Sequence, residues 1–183
     1  MTGRWETTDS REAHLVELVD EDGRALGATT VDVAHRPPGR LHRAFSVLLV
    51  DPEGRLLLQQ RAAAKTRFPL RWANACCGHP APGQAVAEAA RRRLGEELGI
   101  APPALTELGV YLYRAADPAT GRVEFEYDHV LRGEFQPGGP IRPDPAEVAG
   151  LRWVGLAELR AELAAEPQRF APWLAGVIDL MDR

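Results

Sequence analysis

Short apolar runs broken by turn residues fill the first third of this chain, a helical period follows, and alternation then returns. "HLVELVDEDGRALGATTVDV" sets Asp22-Gly23 between apolar runs, and "FSVLLVDPEGRLLLQQR" does the same with Asp51-Pro52-Glu53-Gly54. Both predict hairpins, with strands near residues 13–19, 44–50 and 55–60. From Gln84 to Leu98 the apolar residues Ala87, Ala90, Leu94 and Leu98 fall at helical spacing, and Gly99 stands where a C-terminal cap belongs. Strand-like runs follow at residues 107–114, 122–132 and around 151–154, then helical patterns at 156–165 and 171–181. Residues 62–71 and 134–147, rich in Pro, Gly and charge, predict loops. With no repeat, low-complexity tract or linker, the expectation is one mixed α/β (α+β) domain over residues 1–183. Residues 1–11 are expected to form a flexible tail.

Composition narrows the setting. Apolar content of 45% and charged content of 26% are those of a soluble globular chain. No apolar run approaches the roughly 20 residues that span a bilayer, so no membrane association is expected. The N-terminal stretch has no apolar signal core. A net charge of −4 argues against nucleic acid as a partner, and an anionic small substrate would need a local basic pocket. The two cysteines are adjacent and cannot staple distant segments, which points to a reduced, cytoplasmic setting. Nothing here chooses an oligomeric state.

Five stretches carry candidate chemistry. In "NACCGHP", strand alternation turns Cys76 and Cys77 to opposite faces, so one can pack in the core while the other meets a cavity. Gly78 permits close backbone approach, and His79 is either a ligand or a hydrogen-bonded structural histidine. His35 and His42 bracket the bend "HRPPGRLH". In "VEFEYDH", Glu124 and Glu126 share one strand face, to be either solvated together with Asp128 or used to hold a cation or proton; His129 falls on the other face. In "EAARRRLGEELGI", Arg93 and Glu97 lie four apart on one helix face, and Arg61, Lys65, Arg67 and Arg71 form a basic cluster able to clamp phosphate oxygens. Each feature alone is commoner as plain structure.

Together they resemble the type I isopentenyl-diphosphate isomerases of the Nudix superfamily. The likeness rests on "AHRPPGRLHRAFS", "LLLQQRAAAK", "WANACCGHP", "EAARRRLGEELGI", "YRAADPATGRVEFE" and "FAPW", which occur in family order over most of the chain. It implies a Nudix-like mixed sheet flanked by helices, with extra N-terminal strands and a C-terminal helix. It also implies interconversion of isopentenyl and dimethylallyl diphosphate by one proton gained and one lost. The family's cysteine matches Cys77, and its catalytic glutamate matches Glu126, with Tyr113 alongside. A divalent ion carries over to His35, His42, His79, Glu124 and Glu126, an all-N/O set suited to Zn²⁺, Mn²⁺ or Mg²⁺. Glu97 and the backbone carbonyl of Cys77 match the holders of a Mg²⁺ that arrives with the diphosphate. Arg61, Lys65 and Arg93 match diphosphate positions, and Trp173 matches an indole able to face a carbocation-like centre. Neither flavin nor nicotinamide is implied, and no G-x-G-x-x-G spacing is present.

Two departures matter. Some relatives place a basic residue four positions before the first metal histidine; here that position is Val31, with Arg36 or Arg40 as possible replacements. The rival function is diphosphate hydrolysis through G-x5-E-x7-R-E-U-x-E-E-x-G-U, whose glutamates hold catalytic metals. Arg93 stands where the first glutamate of R-E-U belongs, and the Gly83-to-Glu88 spacing is one residue short.

Overall fold

Side-chain parity along one central strand organises the fold. In the computed structural model, which describes residues 11–135 and 138–182, β3 (His42–Val50) is buried almost throughout. Phe45, Val47 and Leu49 point to one face of the sheet, and Leu48 and Val50 to the other, so each face builds its own core. The first face packs under helix α2 (Val86–Leu98), through Ala89, Ala90, Leu94 and Leu98. The second is covered by α3 (Leu156–Ala165) and α4 (Leu174–Asp179), through Leu159, Leu174, Val177 and Ile178. Helices on both faces of a nine-stranded mixed sheet give the α+β architecture expected.

The strands on β3's two edges bring distant residues together. On one edge lies β8 (Val123–Glu134), parallel to β3 with His42 opposite Glu126, and β7 (Leu105–Ala116) pairs antiparallel with β8 beyond it. Three strands share the other edge. They are β1 (Leu15–Val19) at His42, the short β6 (Cys76–Gly78) at Phe45 to Val47, and β4 (Arg55–Arg61) at Val50. β2 (Ala25–Thr30) completes the first hairpin with β1. β9 (Val148–Gly155) and the two-residue β5 (Trp72–Ala73) both pair with β4. A one-turn helix, α1 (Val31–Ala34), follows β2, capped by the Thr30 side chain accepting from the Val33 amide.

The helix prediction needs one correction. Ala87 is exposed, and the buried face of α2 runs through Ala90, Leu94 and Glu97, beside Ala89 and Leu98. The apolar stripe looked continuous through Ala87 because alanine fits either environment, while the buried carboxylate of Glu97 occupies a position that hydrophobicity alone assigns to solvent. Of the tail expected over residues 1–11, residues 1–10 lie outside the described residues; Arg11 lies in a helical turn and ion-pairs with Glu147. Among the described residues no helix is long and apolar enough to cross a membrane. Part of the loop expected at 134–147, residues 136–137, also lies outside the description.

Helix α2 ends as predicted. Gly99 has φ of 61° and its N–H bonds to the Gly95 carbonyl. A Cβ there would come within 2.6 Å of the Arg142 carbonyl oxygen. Gly99→Ala therefore meets both left-handed strain and a backbone clash. It is expected to cost about 1–3 kcal/mol. Urea denaturation checks this, and an unchanged midpoint would show that the cap is not under constraint.

Candidate active site

The same parity that splits the core also aims the site. On β3, His42 and Ser46 stand on the face of Leu48 and Val50; on β8, Glu124, Glu126 and Asp128 stand on the face of Val130. These inward carboxylates are buried rather than solvated, with Asp128 0% exposed. β6 divides its cysteines as expected. Cys76 enters the α2 core, and Cys77 packs against the other one. Gly78 is required here, since a Cβ would sit 2.7 Å from the Phe45 ring.

The end of α1, the start of β3 and the segment after β6 then bring histidines onto the carboxylates. His35, His42, His79, Glu124 and Glu126 each offer a ligand atom, and all of these atoms lie within 4.8 Å of one another. His79 Nε2 is 2.9 Å from Glu126 Oε1, His42 Nε2 3.6 Å and His35 Nε2 3.9 Å. His35 Nε2 also meets Glu124 Oε2 at 3.0 Å. The Nδ1 atoms of His35 and His42 lie 2.7 Å from the carbonyls of Val31 and Arg40, which as donors leave both Nε2 lone pairs facing the cluster. His42 Nε2 is buried without any hydrogen-bond partner. An orphaned imidazole nitrogen among two buried carboxylates is the environment a divalent cation satisfies, and the donor set is hard and borderline throughout. Arg67 supports the cluster from outside, donating through Nε to Glu124 Oε1 at 3.2 Å and through Nη1 to Glu12 at 2.8 Å.

The cluster opens into a cavity of about 540 Å³. Cys77, Tyr113 and Trp173 line it along with Arg61, Lys65 and Arg93. Tyr113 donates to Glu126 Oε2 at 2.8 Å, and its own proton is held tightly by burial and by the Glu126 charge. The Arg61 guanidinium lies 5.5 Å over the Trp173 ring. Arg93 pairs with Glu96 and Glu97. Burial pushes the Glu97 carboxyl up, but Arg93 and Lys65 outweigh it and hold the group at about 2. Glu97 itself lies behind the lining, where Gln59 also donates to it at 2.9 Å.

Some residues fall elsewhere than the sequence suggested. Arg36 is exposed and pairs with Asp32, Arg40 is exposed, and neither lines the cavity. Val31 does line it, and so do the cations Arg11 and Arg67, besides Arg61, Lys65, Arg92 and Arg93. Val31 is fixed by packing with Val16 and Ala34, and α1 turns the following arginines outward. Glu147 was not singled out at all, yet it is 3% exposed and ion-pairs with Arg11, Lys65 and Arg93. It sits in the polar stretch "PDPAEVAG", which offers no periodic signal. The helix pattern also has a better register than Gly83 and Glu88 give. Anchored on Glu96, Glu97 and Gly99, it puts Gly78 at the leading glycine, Gln84 at the first glutamate and Arg93 at the second. Two glutamates of the hydrolytic pattern are thus replaced.

A family model for the NUDIX domain matches residues 40–174. A Nocardia farcinica protein named isopentenyl-diphosphate Delta-isomerase is 66% identical over 91% of this chain and 94% of its own. A Halorhodospira halophila protein of the same name is 42% identical over 90% and 93%. Among solved structures, a Deinococcus radiodurans protein superposes with a TM-score of 0.71 over 91% of this chain and 99% of its own, at 20% identity. That last likeness concerns the fold alone.

The histidines differ in charge before any cation enters. Burial pulls His35 down, but Glu124 outweighs it and holds the group up at about 9; burial takes His79 down to about 4 despite Glu126. Near neutral pH His35 carries a proton and His79 does not. A ligand must be neutral, so uptake of a divalent cation should expel the His35 proton. Calorimetric titration in buffers of different ionisation heat should find close to one proton released per cation near neutral pH, fading as pH rises past about 9. Cation binding with no proton release would contradict this charge assignment.

Proposed function

This chain belongs to the isopentenyl-diphosphate Delta-isomerases, a family built on the NUDIX domain, and we propose that its cavity interconverts isopentenyl and dimethylallyl diphosphate through Cys77 and Glu126. The observation that carries the assignment of these two residues is their convergence. A thiol from β6 and a carboxylate from β8 line one cavity whose other walls hold Arg61, Lys65 and Arg93 among their cations. Neither strand alone contains both groups, and only their pairing on opposite edges of β3 joins them.

The diphosphate end falls to Arg61, Lys65 and Arg93, with guanidinium forks suited to phosphate oxygens. Glu97 and the carbonyl of Cys77 would hold the Mg²⁺ that accompanies the substrate. Among these, Arg93 replaces a glutamate of the hydrolytic pattern, which favours gripping an anion over activating water. At the hydrocarbon end, His35, His42, His79, Glu124 and Glu126 would hold Zn²⁺, Mn²⁺ or Mg²⁺. When bound, such a cation withdraws charge from the Glu126 carboxylate, weakening it as a base and strengthening its conjugate acid.

Without a cation the two groups rest in opposite states. Burial, with Asp128 nearby, pushes the Cys77 thiol up to about 12, so it keeps its proton. Burial pushes Glu126 up too, but its three histidine neighbours outweigh it and keep it ionised. With the Cys77 proton shifted onto Glu126, whose protonated form the cation would make the stronger acid, Glu126, steadied by Tyr113, would protonate one end of the alkene and the Cys77 thiolate would take a proton from the other end of the allylic system. Each turnover leaves the pair in the exchanged protonation state. A proton must then be exchanged between the groups or with solvent before another turnover in the same direction, and the reverse reaction starts from that exchanged state. Trp173 offers its ring to the positive charge that develops in between.

Turnover of isopentenyl diphosphate, followed by nuclear magnetic resonance for both the allylic isomer and free phosphate, tests the reading. Wild-type protein should yield isomer with no phosphate. Cys77→Ala should lose isomerisation while remaining folded. Cys76→Ala should keep most turnover and lose at most a few kcal/mol of stability, as a small buried side chain. A near-normal Cys77→Ala enzyme would overturn the assignment of that thiol, and free phosphate as the product would overturn the reaction.

A further inference from the structure

Asn74 is 0% exposed and takes no part in the chemistry above, yet its side chain touches two groups that do. Its Nδ2 donates to the carbonyls of Val47 at 3.2 Å and Cys76 at 2.9 Å. Its Oδ1 accepts from the Trp173 indole Nε1–H at 3.0 Å and from the Cys77 thiol at 3.3 Å. This amide has one sensible orientation. Flipped, it would set an oxygen against two carbonyls and an NH₂ against two donors. The carbonyls of β3 and β6 thereby lock an oxygen whose two lone pairs go to the thiol and the indole.

The alternative partner for the sulfur is weaker. Ser46 Oγ lies 3.6 Å from Cys77 Sγ and donates its own proton to Asp128 Oδ2 at 2.7 Å. The S–H proton is therefore directed at Asn74.

We propose that Asn74 is a positioning residue that sets the Cys77 sulfur and the Trp173 ring relative to each other through one shared oxygen. The role rests on the reading of Cys77 as a proton-transfer group. Its consequence is geometric: the thiol and the indole hold fixed places about the same hydrocarbon, so both shift if the oxygen is lost. Displacement of a reacting group by about 1 Å can cost up to about 100-fold in rate. Asn74→Ala is thus expected to lower kcat roughly 10–100-fold with KM and metal content unchanged.

A vibrational readout tests this without turnover. In a Cys76→Ala background Cys77 is the sole thiol, and its Raman S–H stretch reports the hydrogen bond. Asn74→Ala should move that band to the frequency of an unbonded thiol. An unmoved band, or a raised KM with kcat intact, would overturn the proposal. Should Asn74→Ala fail to fold, Trp173→Phe decides the matter, since it keeps an aromatic ring while removing the competing N–H. The S–H band should then shift further toward strong hydrogen bonding, and an unchanged band would overturn the sharing. Turnover of Cys77→Ala reads the thiol's role separately, so failure of one idea is distinguishable from failure of the other.

Discussion

A carboxylate only 7% exposed to solvent must be surrounded by cations or donors, and Glu126 is the residue around which this protein is arranged. Tyr113 reaches one of its oxygens, and His79, His42 and His35 gather about the other. Two strands, the end of α1 and the approach to α2 are committed to keeping that one group ionised in the interior. The arrangement would be expensive as mere structure, because an apolar residue of similar size avoids the desolvation cost altogether. It makes sense where a charge must be available in a dry cavity and must be able to take up and release a proton.

Placing Glu126 there needs only the strand pairing. β8 lies parallel to β3, with Glu126 opposite His42, and β6 lies antiparallel on β3's other edge, with Cys77 opposite Ser46. His42 and Ser46 are four residues apart, hence on the same face. Once β3 is buried on both faces, a slip of one residue in β8 or β6 would send the carboxylates or the thiol into the wrong core. Register and chemistry are therefore specified together. Asn74 and Arg67 extend that logic outward, the first clamping the thiol and the indole, the second bracing Glu124 from the loop before β5.

Much of this was legible along the chain. Apolar runs about turn residues revealed β3 and β4 and strand-like runs revealed β7 and β8, while strand alternation separated Cys76 from Cys77 and joined Glu124 to Glu126. What failed was where local pattern and environment part company. Ala87 read as buried because alanine carries little signal, and Glu97 read as charge on a helix face although its carboxylate is buried against Gln59 and Arg93. Glu147 and Arg11 could not have been found by period or spacing, since their meeting depends on loops brought together by the completed sheet. β5, with two residues, is too short for any pattern of its own. The resemblance to a known family supplied the ligand set; alternation explained why those ligands can share a face.

The central claim is that Glu126 belongs at once to a cation site and to the reaction cavity. Crystals loaded with Zn²⁺ and measured at its absorption edge test it most directly. The account predicts one strong anomalous peak among the Nε2 atoms of His35, His42 and His79 and the carboxylates of Glu124 and Glu126, at about 2.0–2.2 Å from its ligands. No peak there, or a peak that leaves Glu126 out of its ligands while still contacting the histidines, would contradict it.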